Sequence, residues 1–140
     1  MSGTLLIREY RQPDANEIVR IIKLNGQYDF PSVEGPEAMD RVAACEAAVA
    51  LVAESGGQVV GYVKAVYDGS RALIHLLSVH PEHQGRGVGG ALLKAVEDEM
   101  KKRGAPSIAV SVGDQSMDYW VKRGFRRIPV FLMLKEFSRE

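Results

Sequence analysis

Residues 84–90 read Gln84-Gly85-Arg86-Gly87-Val88-Gly89-Gly90, which places four glycines within six residues. The run lies between an apolar segment and an amphipathic one, so it predicts a turn that joins a strand to a helix. Glycine tolerates positive φ and lets a ligand approach the backbone closely. The free N–H groups of a helix start, together with the helix dipole, favour an anion such as pyrophosphate. The turn therefore predicts a phosphate-binding site.

The segments on either side of the turn have clear secondary-structure patterns. Residues 72–79 are apolar apart from His75 and Ser78, which is typical of a central strand covered on both faces. Residues 88–103 predict a helix that ends at Gly104. Its apolar positions recur at helical spacing, and they are Val88, Leu92, Ala95, Val96 and Met100.

The rest of the chain completes a mixed α/β order, β-α-α-β-β-β-α-β-α-β-β, with antiparallel hairpins feeding one strand–turn–helix unit. No repeat or linker interrupts residues 1–140, which we interpret as a single domain. The predicted strands cover residues 5–7, 49–53, 59–67, 72–79 and 108–112, with one or two more in 125–137, bent near Pro129. The predicted helices start at Pro13-Asp14 and cover 36–47, 88–103 and 115–123, and residues 27–36 predict a loop.

Composition narrows the classes of partner. The net charge of zero favours neither nucleic acid nor an acidic membrane surface. Cys45 is the only cysteine, so no internal disulfide can form, and its alanine neighbours indicate a buried small residue. We expect neither a signal peptide nor a membrane helix, because no basic region is followed by an apolar run of the length that either would need. We expect a soluble, cytoplasmic protein.

Two phosphate-binding motifs fit the turn less well. Gly85, Gly87 and Gly90 match the G-x-G-x-x-G dinucleotide fingerprint in spacing, but residues 81–84 separate the strand from the turn. Residues 109–110, where an acidic residue should hold a ribose, are Ala and Val. A Walker-type loop needs Lys followed by Ser or Thr, whereas Ala91-Leu92 follow Gly90.

The segment from Val79 to Leu93 resembles the acetyl-CoA-binding segment of the GCN5-related N-acetyltransferases, the GNAT superfamily. The family signature Q/R-x-x-G-x-G/A is met by Gln84, Gly87 and Gly89. A second family segment ends in Tyr-x-x-x-Gly-Phe, and this chain reads Trp120-Val121-Lys122-Arg123-Gly124-Phe125 there. The resemblance implies a single domain with a central, mostly antiparallel sheet, a splayed central strand pair and flanking helices.

The resemblance also implies how acetyl-CoA would bind. The pyrophosphate would rest on the backbone of the turn, the pantetheine arm would run beside the central strand, and the thioester would lie where that strand splays from residues 108–112. The implied cofactor-binding residues are Leu77, Ser78, Val79, Gln84, Gly85, Arg86, Gly87, Val88, Gly89 and Gly90. The implied reaction is direct transfer of the acetyl group to an amine, either on a small molecule or on a protein. We expect no metal site, because His80 and His83 are three residues apart and a site would need more ligands.

Two residues are candidates for proton transfer. Strand alternation predicts that His75 shares a face with Leu77 and Val79; the family often places a base on this face, and the alternative is a core histidine. The usual proton donor, a tyrosine four residues before Gly-Phe, is replaced by Trp120, which we interpret as a packing residue. Tyr119 lies about 100° away around the helix and is the remaining candidate.

Three functions therefore stay open from the sequence: an N-acetyltransferase, a non-catalytic acetyl-CoA-binding sensor or interaction module, and a nucleotide-binding turn. The loop residues Tyr28, Asp29 and Glu34 either frame the acceptor site, as this region does in the family, or are solvated. The oligomeric state is open as well, and homodimers are common among the proteins that the chain resembles.

Overall fold

The computed structural model describes residues 4–137. The limits expected for the domain, residues 1 and 140, lie outside this range. Short 3-10 turns at Gln12–Asp14, Pro81–His83 and Asp114–Ser116 precede three of the helices. The strands and helices follow in the order β1 (Leu5–Glu9), α1 (Ala15–Leu24), α2 (Pro31–Glu34), α3 (Pro36–Ala43), β2 (Ala48–Ser55), β3 (Gln58–Tyr67), β4 (Ala72–Val79), α4 (Val88–Arg103), β5 (Ile108–Val110) and α5 (Met117–Val121).

The five strands form one sheet in the order β1-β2-β3-β4-β5. The first three neighbouring pairs are antiparallel, whereas β4 and β5 are parallel. Pairing between β4 and β5 runs only from Ala72–Ile108 to Ile74–Val110. Since β4 continues to Val79, its second half has an open edge on this side. The splayed strand pair expected from the sequence is therefore confirmed.

Each face of the sheet is covered by helices, as the apolar pattern of β4 predicts. Helix α4 packs on one face, where its fully buried Leu92 and Val96 contact β3 and β4 residues such as Val63 and Ile74. Helices α1 and α3 cover the other face. The core there consists of Tyr10, Ala15, Ile18, Ile22, Met39, Val52 and Tyr62.

Several predicted boundaries are wrong in informative ways. The predicted loop at residues 27–36 contains α2, whose helical conformation begins at Pro31. The helix predicted for residues 36–47 ends at Ala43, so Cys45 lies beyond it and is exposed rather than buried. No strand forms within the described part of residues 125–137. That segment bends at Pro129, and none of its described residues pairs with a strand of the sheet.

The alternation predicted along β4 also fails at one residue. Lys64 of β3 pairs with Leu76, whereas the next residue, Ala65, pairs with Ile74. His75 is thus the extra residue of a β-bulge, which breaks the two-residue period of the strand. Leu77 and Val79 pack on the α4 side as predicted, but His75 does not join them and is exposed. Exposure also excludes the interpretation of His75 as a core residue.

The first turn of α4 lies unusually close to the sheet at Gly61 of β3. A Cβ atom at Gly61 would lie 2.9 Å from Cδ1 of Leu92 and 3.1 Å from Cγ1 of Val88. Leu92 is fully buried, so its side chain has no free space to move into. The absence of a side chain at Gly61 therefore sets how closely the start of α4 approaches β3.

We expect Gly61→Ala to lower the free energy of unfolding by about 1–3 kcal/mol, because the added methyl group overpacks this contact. Urea unfolding measures the effect. Gly113→Ala is a matched control, since its φ of −76° suits any residue and a Cβ there would have no neighbour within 4 Å. Equal stability changes in the two variants would contradict the proposed contact.

Candidate functional site

The glycine turn adopts backbone angles that explain its composition. Gly85 and Gly87 have φ values of +77° and +87°, in the left-handed region that favours glycine. A Cβ at either residue would have no atom within 4 Å, so conformation rather than crowding requires glycine there. Residues 84–87 are all exposed, and Arg86 is free to reach a ligand at the turn.

The turn leads into α4 without a side-chain cap. Gly87 is the N-cap residue; its carbonyl accepts from Ala91 N–H at 3.0 Å, but it has no side chain to accept from the first N–H groups. The N–H groups of Val88, Gly89 and Gly90 therefore have no partner within the helix. With the helix dipole, these groups form a site suited to a negatively charged ligand.

The open edge of β4 meets the turn at Val79. His80 N–H bonds to Val60 O on β3 at 2.8 Å. Because successive residues of a strand direct their peptide groups to opposite edges, the groups of Val79 and Leu77 point away from β3. Ser78 pairs with Tyr62 of β3 instead, and its buried side chain faces α1. The open edge therefore offers the peptide groups of Leu77 and Val79.

The two carbonyl groups of that edge accept hydrogen bonds from three amide side chains. Gln27 donates to Leu77 O at 3.3 Å. Asn25 donates to Val79 O at 2.9 Å and to the Ser78 hydroxyl at 2.8 Å. Gln84 donates to the same Val79 carbonyl at 3.0 Å and to Asn25 Oδ1 at 3.2 Å. The end of α1 is thus tied to the end of β4 and to the start of the turn.

This network was not predicted from the sequence. The Gln84 position was identified from the family signature, but its side-chain partner was not. Asn25 follows the last residue of the first helix, where an asparagine is an ordinary helix-ending residue. Its position at the C-terminal end of α1 directs its amide toward β4, and no local sequence pattern reveals that contact.

Helix α5 directs Tyr119 and Trp120 to different places. Trp120 is buried and packs edge-on against Phe125 with ring centroids 5.2 Å apart, which agrees with its interpretation as a packing residue. The Tyr119 hydroxyl lies over the first turn of α4, and a Cβ at Gly89 would lie 2.5 Å from that oxygen. This hydroxyl is buried and has no hydrogen-bond partner among the described residues. Tyr119, not Trp120, therefore faces the turn.

The electrostatic surroundings keep the Tyr119 phenol protonated. Burial raises its pKa, and the neighbouring Arg123 lowers it by a smaller amount. The Arg123 guanidinium carbon lies 3.5 Å from the ring centroid of Tyr119, and the guanidinium also donates to the Tyr119 carbonyl. The residue can therefore donate a proton or a hydrogen bond at neutral pH.

His75 lies four residues before Val79, which is about 13 Å along an extended strand. Although the residue is exposed, the protein around it removes part of the water from the imidazole, which lowers its pKa. The charge of Lys64, on the neighbouring strand, lowers the pKa further. Neutral imidazole, the form that accepts a proton, is therefore favoured at neutral pH.

The loop before α2 is held by Glu34, which is only 9% exposed. Its Oε1 accepts the N–H groups of Asp29 at 2.7 Å and Phe30 at 2.9 Å. Lys64 donates to the nearby Val33 carbonyl at 3.3 Å. The reading of Glu34 as a solvated residue is therefore wrong. Its carboxylate orders the loop on the same side of the sheet as Lys64, whereas Asp29 is exposed.

Solved structures with this fold include proteins of several kinds. A transcriptional regulator from Bacillus halodurans is 21% identical, with a TM-score of 0.80, over 95% of this chain and 100% of its own. The PaiA N-acetyltransferase from Thermoplasma acidophilum, in complex with coenzyme A, is 18% identical with a TM-score of 0.80, over 91% and 93% of the two chains. A predicted acetyltransferase with acetyl-CoA from Clostridium acetobutylicum is 18% identical with a TM-score of 0.76, over 94% and 96%.

The sequence profile of the acetyltransferase (GNAT) family matches residues 18–125, a range that runs from α1 through the glycine turn to Phe125. The mixed five-stranded sheet and its splayed strand pair agree with this match. The chain belongs to the acetyltransferase (GNAT) family.

Proposed function

We propose that this protein is an acetyl-CoA-dependent N-acetyltransferase that acts on a primary amine of a small molecule or a protein. The observation that carries the proposal is the uncapped start of α4, reached through a positive-φ glycine turn, beside the open edge of β4. A phosphate group and an extended amide chain would each find a complementary surface there. Two of the proteins with the same fold were solved with coenzyme A or with acetyl-CoA bound.

The glycine turn and the open edge of β4 each suit a different part of acetyl-CoA. The N–H groups of Val88, Gly89 and Gly90 would hold the pyrophosphate, with Arg86 adding positive charge. Since the carbonyls of Leu77 and Val79 already accept bonds from Asn25, Gln27 and Gln84, the N–H groups of these two strand residues are the ones offered to the pantetheine arm. Acetyl-CoA would supply the activated acetyl group as a thioester.

The chemistry requires two proton transfers. The acceptor nitrogen must be neutral to attack the thioester carbonyl, whereas an alkyl ammonium has a pKa of about 10. His75, directly or through water, would take the proton that the nitrogen loses. When the carbon–sulfur bond breaks, the departing thiolate would take up a proton. Because the Tyr119 hydroxyl lies against Gly89, at the pyrophosphate end of the site, Tyr119 would deliver that proton through water. The attack is direct, so no acetyl group is attached to the enzyme at any stage.

A single assay series tests the function. Calorimetry with acetyl-CoA and with NAD establishes which ligand the turn binds. A panel of small amines and peptide amino groups, monitored by release of free thiol, then tests turnover. Acetyl-CoA binding with turnover of at least one amine supports the proposal. Binding without any turnover would favour the sensor or interaction module, for which the burial of Trp120 at the usual donor position is the motivating observation.

Replacing His75 should reveal a base in the pH profile. We expect His75→Ala to lower kcat/KM by about 100-fold, a typical contribution of a positioned base. In the native protein kcat/KM should show an acidic limb that lies below the ordinary imidazole pKa of about 6.5, because burial and the charge of Lys64 lower the pKa of His75. His75→Ala should lose this acidic limb.

Lys64→Gln provides the matched test of the same assignment. Removing that positive charge raises the pKa of His75, so the acidic limb should move to higher pH while His75 remains present. Circular dichroism confirms that each variant folds. An unchanged acidic limb in His75→Ala would show that another group accepts the proton.

Replacing the Tyr119 hydroxyl should separate chemistry from binding. We expect Tyr119→Phe to lower kcat by roughly 10- to 100-fold, because the thiolate would leave without its proton donor. Acetyl-CoA affinity measured by calorimetry should change little, since the ring stays in place. If Tyr119→Phe raised the Kd for acetyl-CoA but left kcat unchanged, the role of Tyr119 as proton donor would be contradicted.

The contact between Tyr119 and Gly89 predicts a specific rescue. Gly89→Ala places a methyl group against the Tyr119 hydroxyl and should lower the free energy of unfolding by about 1–3 kcal/mol. Tyr119→Phe in the same chain should restore most of this loss, because the next atom, Cζ of the ring, lies 3.5 Å from the new Cβ. Urea unfolding of the two single variants and the double variant gives the coupling energy.

Gly90→Ala is the control for helix propensity. A Cβ at Gly90 has no neighbour within 4 Å, so this variant should be more stable by about 0.5–1 kcal/mol. Additive effects of Gly89→Ala and Tyr119→Phe would show that the two residues do not meet in solution.

A further inference from the structure

Lys64 is a half-buried cation that lies beside the proposed base. It pairs with Leu76 of β4, and the bulge places His75 next to that pair. The charge of Lys64 lowers the pKa of His75, so the ammonium lies within electrostatic reach of the imidazole. Pairing between β4 and β5 ends at Ile74, one residue before His75. Lys64 therefore lies beside the point at which the open edge of β4 begins.

The ammonium of Lys64 has no carboxylate in direct contact. It donates to the Val33 carbonyl at 3.3 Å, and it takes part in none of the ion pairs among the described residues. The charge of Glu34 acts on Lys64 from beyond ion-pair distance, and Glu34 Oε1 already accepts the N–H groups of Asp29 and Phe30. Because an ammonium has three N–H donors, Lys64 can donate further hydrogen bonds to a ligand.

A second cation contacts the same short helix. Arg41 of α3 donates to the Ser32 carbonyl at 3.1 Å, and Ser32 directly precedes Val33 in α2. Consecutive residues lie about 100° apart around a helix, so Arg41 and Lys64 approach α2 from adjacent sides. Arg41 is exposed and, in the part of the chain that the structure describes, forms no ion pair. Two cations without a contacting carboxylate therefore border the end of α2.

The surroundings of Lys64 leave its charge incompletely balanced. Burial lowers the pKa of Lys64, and the charge of Glu34 offsets only part of this effect. Charged side chains that lose water are normally paired with an opposite charge. An unpaired one beside a candidate proton acceptor is typical of a functional site. A ligand that brought anionic oxygens to Lys64 would supply the missing counter-charge.

We propose that the acceptor amine carries an anionic group, a carboxylate or a phosphate, which binds Lys64 while the amine lies near His75. The inference rests on the proposed acetyltransferase function and adds the chemical class of the acceptor. Carboxylate and phosphate oxygens both accept strong, charge-assisted hydrogen bonds from an ammonium, and Arg41 would add positive charge. An acceptor with additional ammonium groups, such as a polyamine, would instead be repelled by Lys64.

Calorimetry tests the inference without any need for turnover. The protein, both free and saturated with coenzyme A, is titrated with pairs of amines that differ in the anionic group. The pairs are glycine and glycinamide, β-alanine and its amide, and phosphoethanolamine and ethanolamine. We expect at least one anionic amine to bind roughly 10- to 100-fold more tightly than its partner, the effect of one hydrogen bond to a charged group. The carboxylate and phosphate pairs show which of the two groups binds. If no anionic amine binds more tightly than its partner, the inference is overturned.

Replacing Lys64 should remove this preference. In Lys64→Met the anionic amine should lose its roughly 10- to 100-fold advantage, while the affinity for its partner should change little. Lys64→Arg keeps the charge and should retain most of the advantage. Lys101→Met, which removes an exposed charge in the last turn of α4, is the matched control and should bind as the native protein does. Thermal unfolding checks that each variant folds. An unchanged preference in Lys64→Met would show that Lys64 only holds the Val33 carbonyl.

Turnover measured by release of free thiol separates this inference from the proposed function. With the preferred anionic amine, Lys64→Met should raise KM much more than it lowers kcat, whereas KM for the partner amine should stay near its native value. Turnover of amines without any preference for an anionic group would refute the acceptor class and leave the acetyltransferase function intact. A preference in binding that depends on Lys64, without turnover of any amine, would refute the enzymatic function and support the anion site.

Discussion

The close approach between the first turn of α4 and β3 is the constraint on which the rest of the site depends. Gly61 lies beneath this turn and leaves no room for a side chain against Leu92 and Val88. Gly89 lies above it and leaves no room against the Tyr119 hydroxyl. The helix start is therefore held between the sheet and α5 by two contacts that only glycine permits. This fixes where its free N–H groups point, and the open edge of β4 lies directly beside them.

A second set of contacts fixes the turn from the opposite side. Asn25 at the end of α1 and Gln84 at the start of the turn bind the same carbonyl, that of Val79. These two donors fix the positions of α1, β4 and the glycine turn relative to one another. Asn25 also donates to the Ser78 hydroxyl, and Gln84 also donates to Asn25 Oδ1. The signature glutamine thus has a structural task in this chain in addition to its place in the motif. Hydrogen bonds of this kind contribute about 1 kcal/mol each to stability, so their main effect here is on position.

Features of the fold that depend on residues close together in the sequence could be predicted, whereas features that depend on strand pairing could not. β4 and α4 have the predicted limits of 72–79 and 88–103, because strand composition, helical spacing and the glycines at 87 and 104 are local signals. The bulge at His75 could not be predicted, since it depends on which residues of β3 and β4 pair with each other. The burial of Glu34 could not be predicted for a different reason: its partners are local backbone N–H groups, but an exposed loop has the same composition. The apolar residues after Phe125 do predict a strand, but none forms among the described residues, because a strand needs a neighbour to pair with and composition does not reveal whether one is in reach.

The shift of the proposed proton donor from residue 120 to residue 119 follows from core packing. Trp120 fills the space beneath α5 against Phe125, and burying so large a side chain fixes the rotation of the short helix about its axis. With that rotation fixed, the preceding residue turns toward α4, about 100° around the helix, and its hydroxyl reaches Gly89. If residue 120 were the tyrosine that faces α4, another side chain would have to fill the space beneath α5 that Trp120 occupies. The same tryptophan that stands at the usual donor position therefore orients Tyr119, the proposed replacement, and Gly89 leaves the space that the Tyr119 hydroxyl needs.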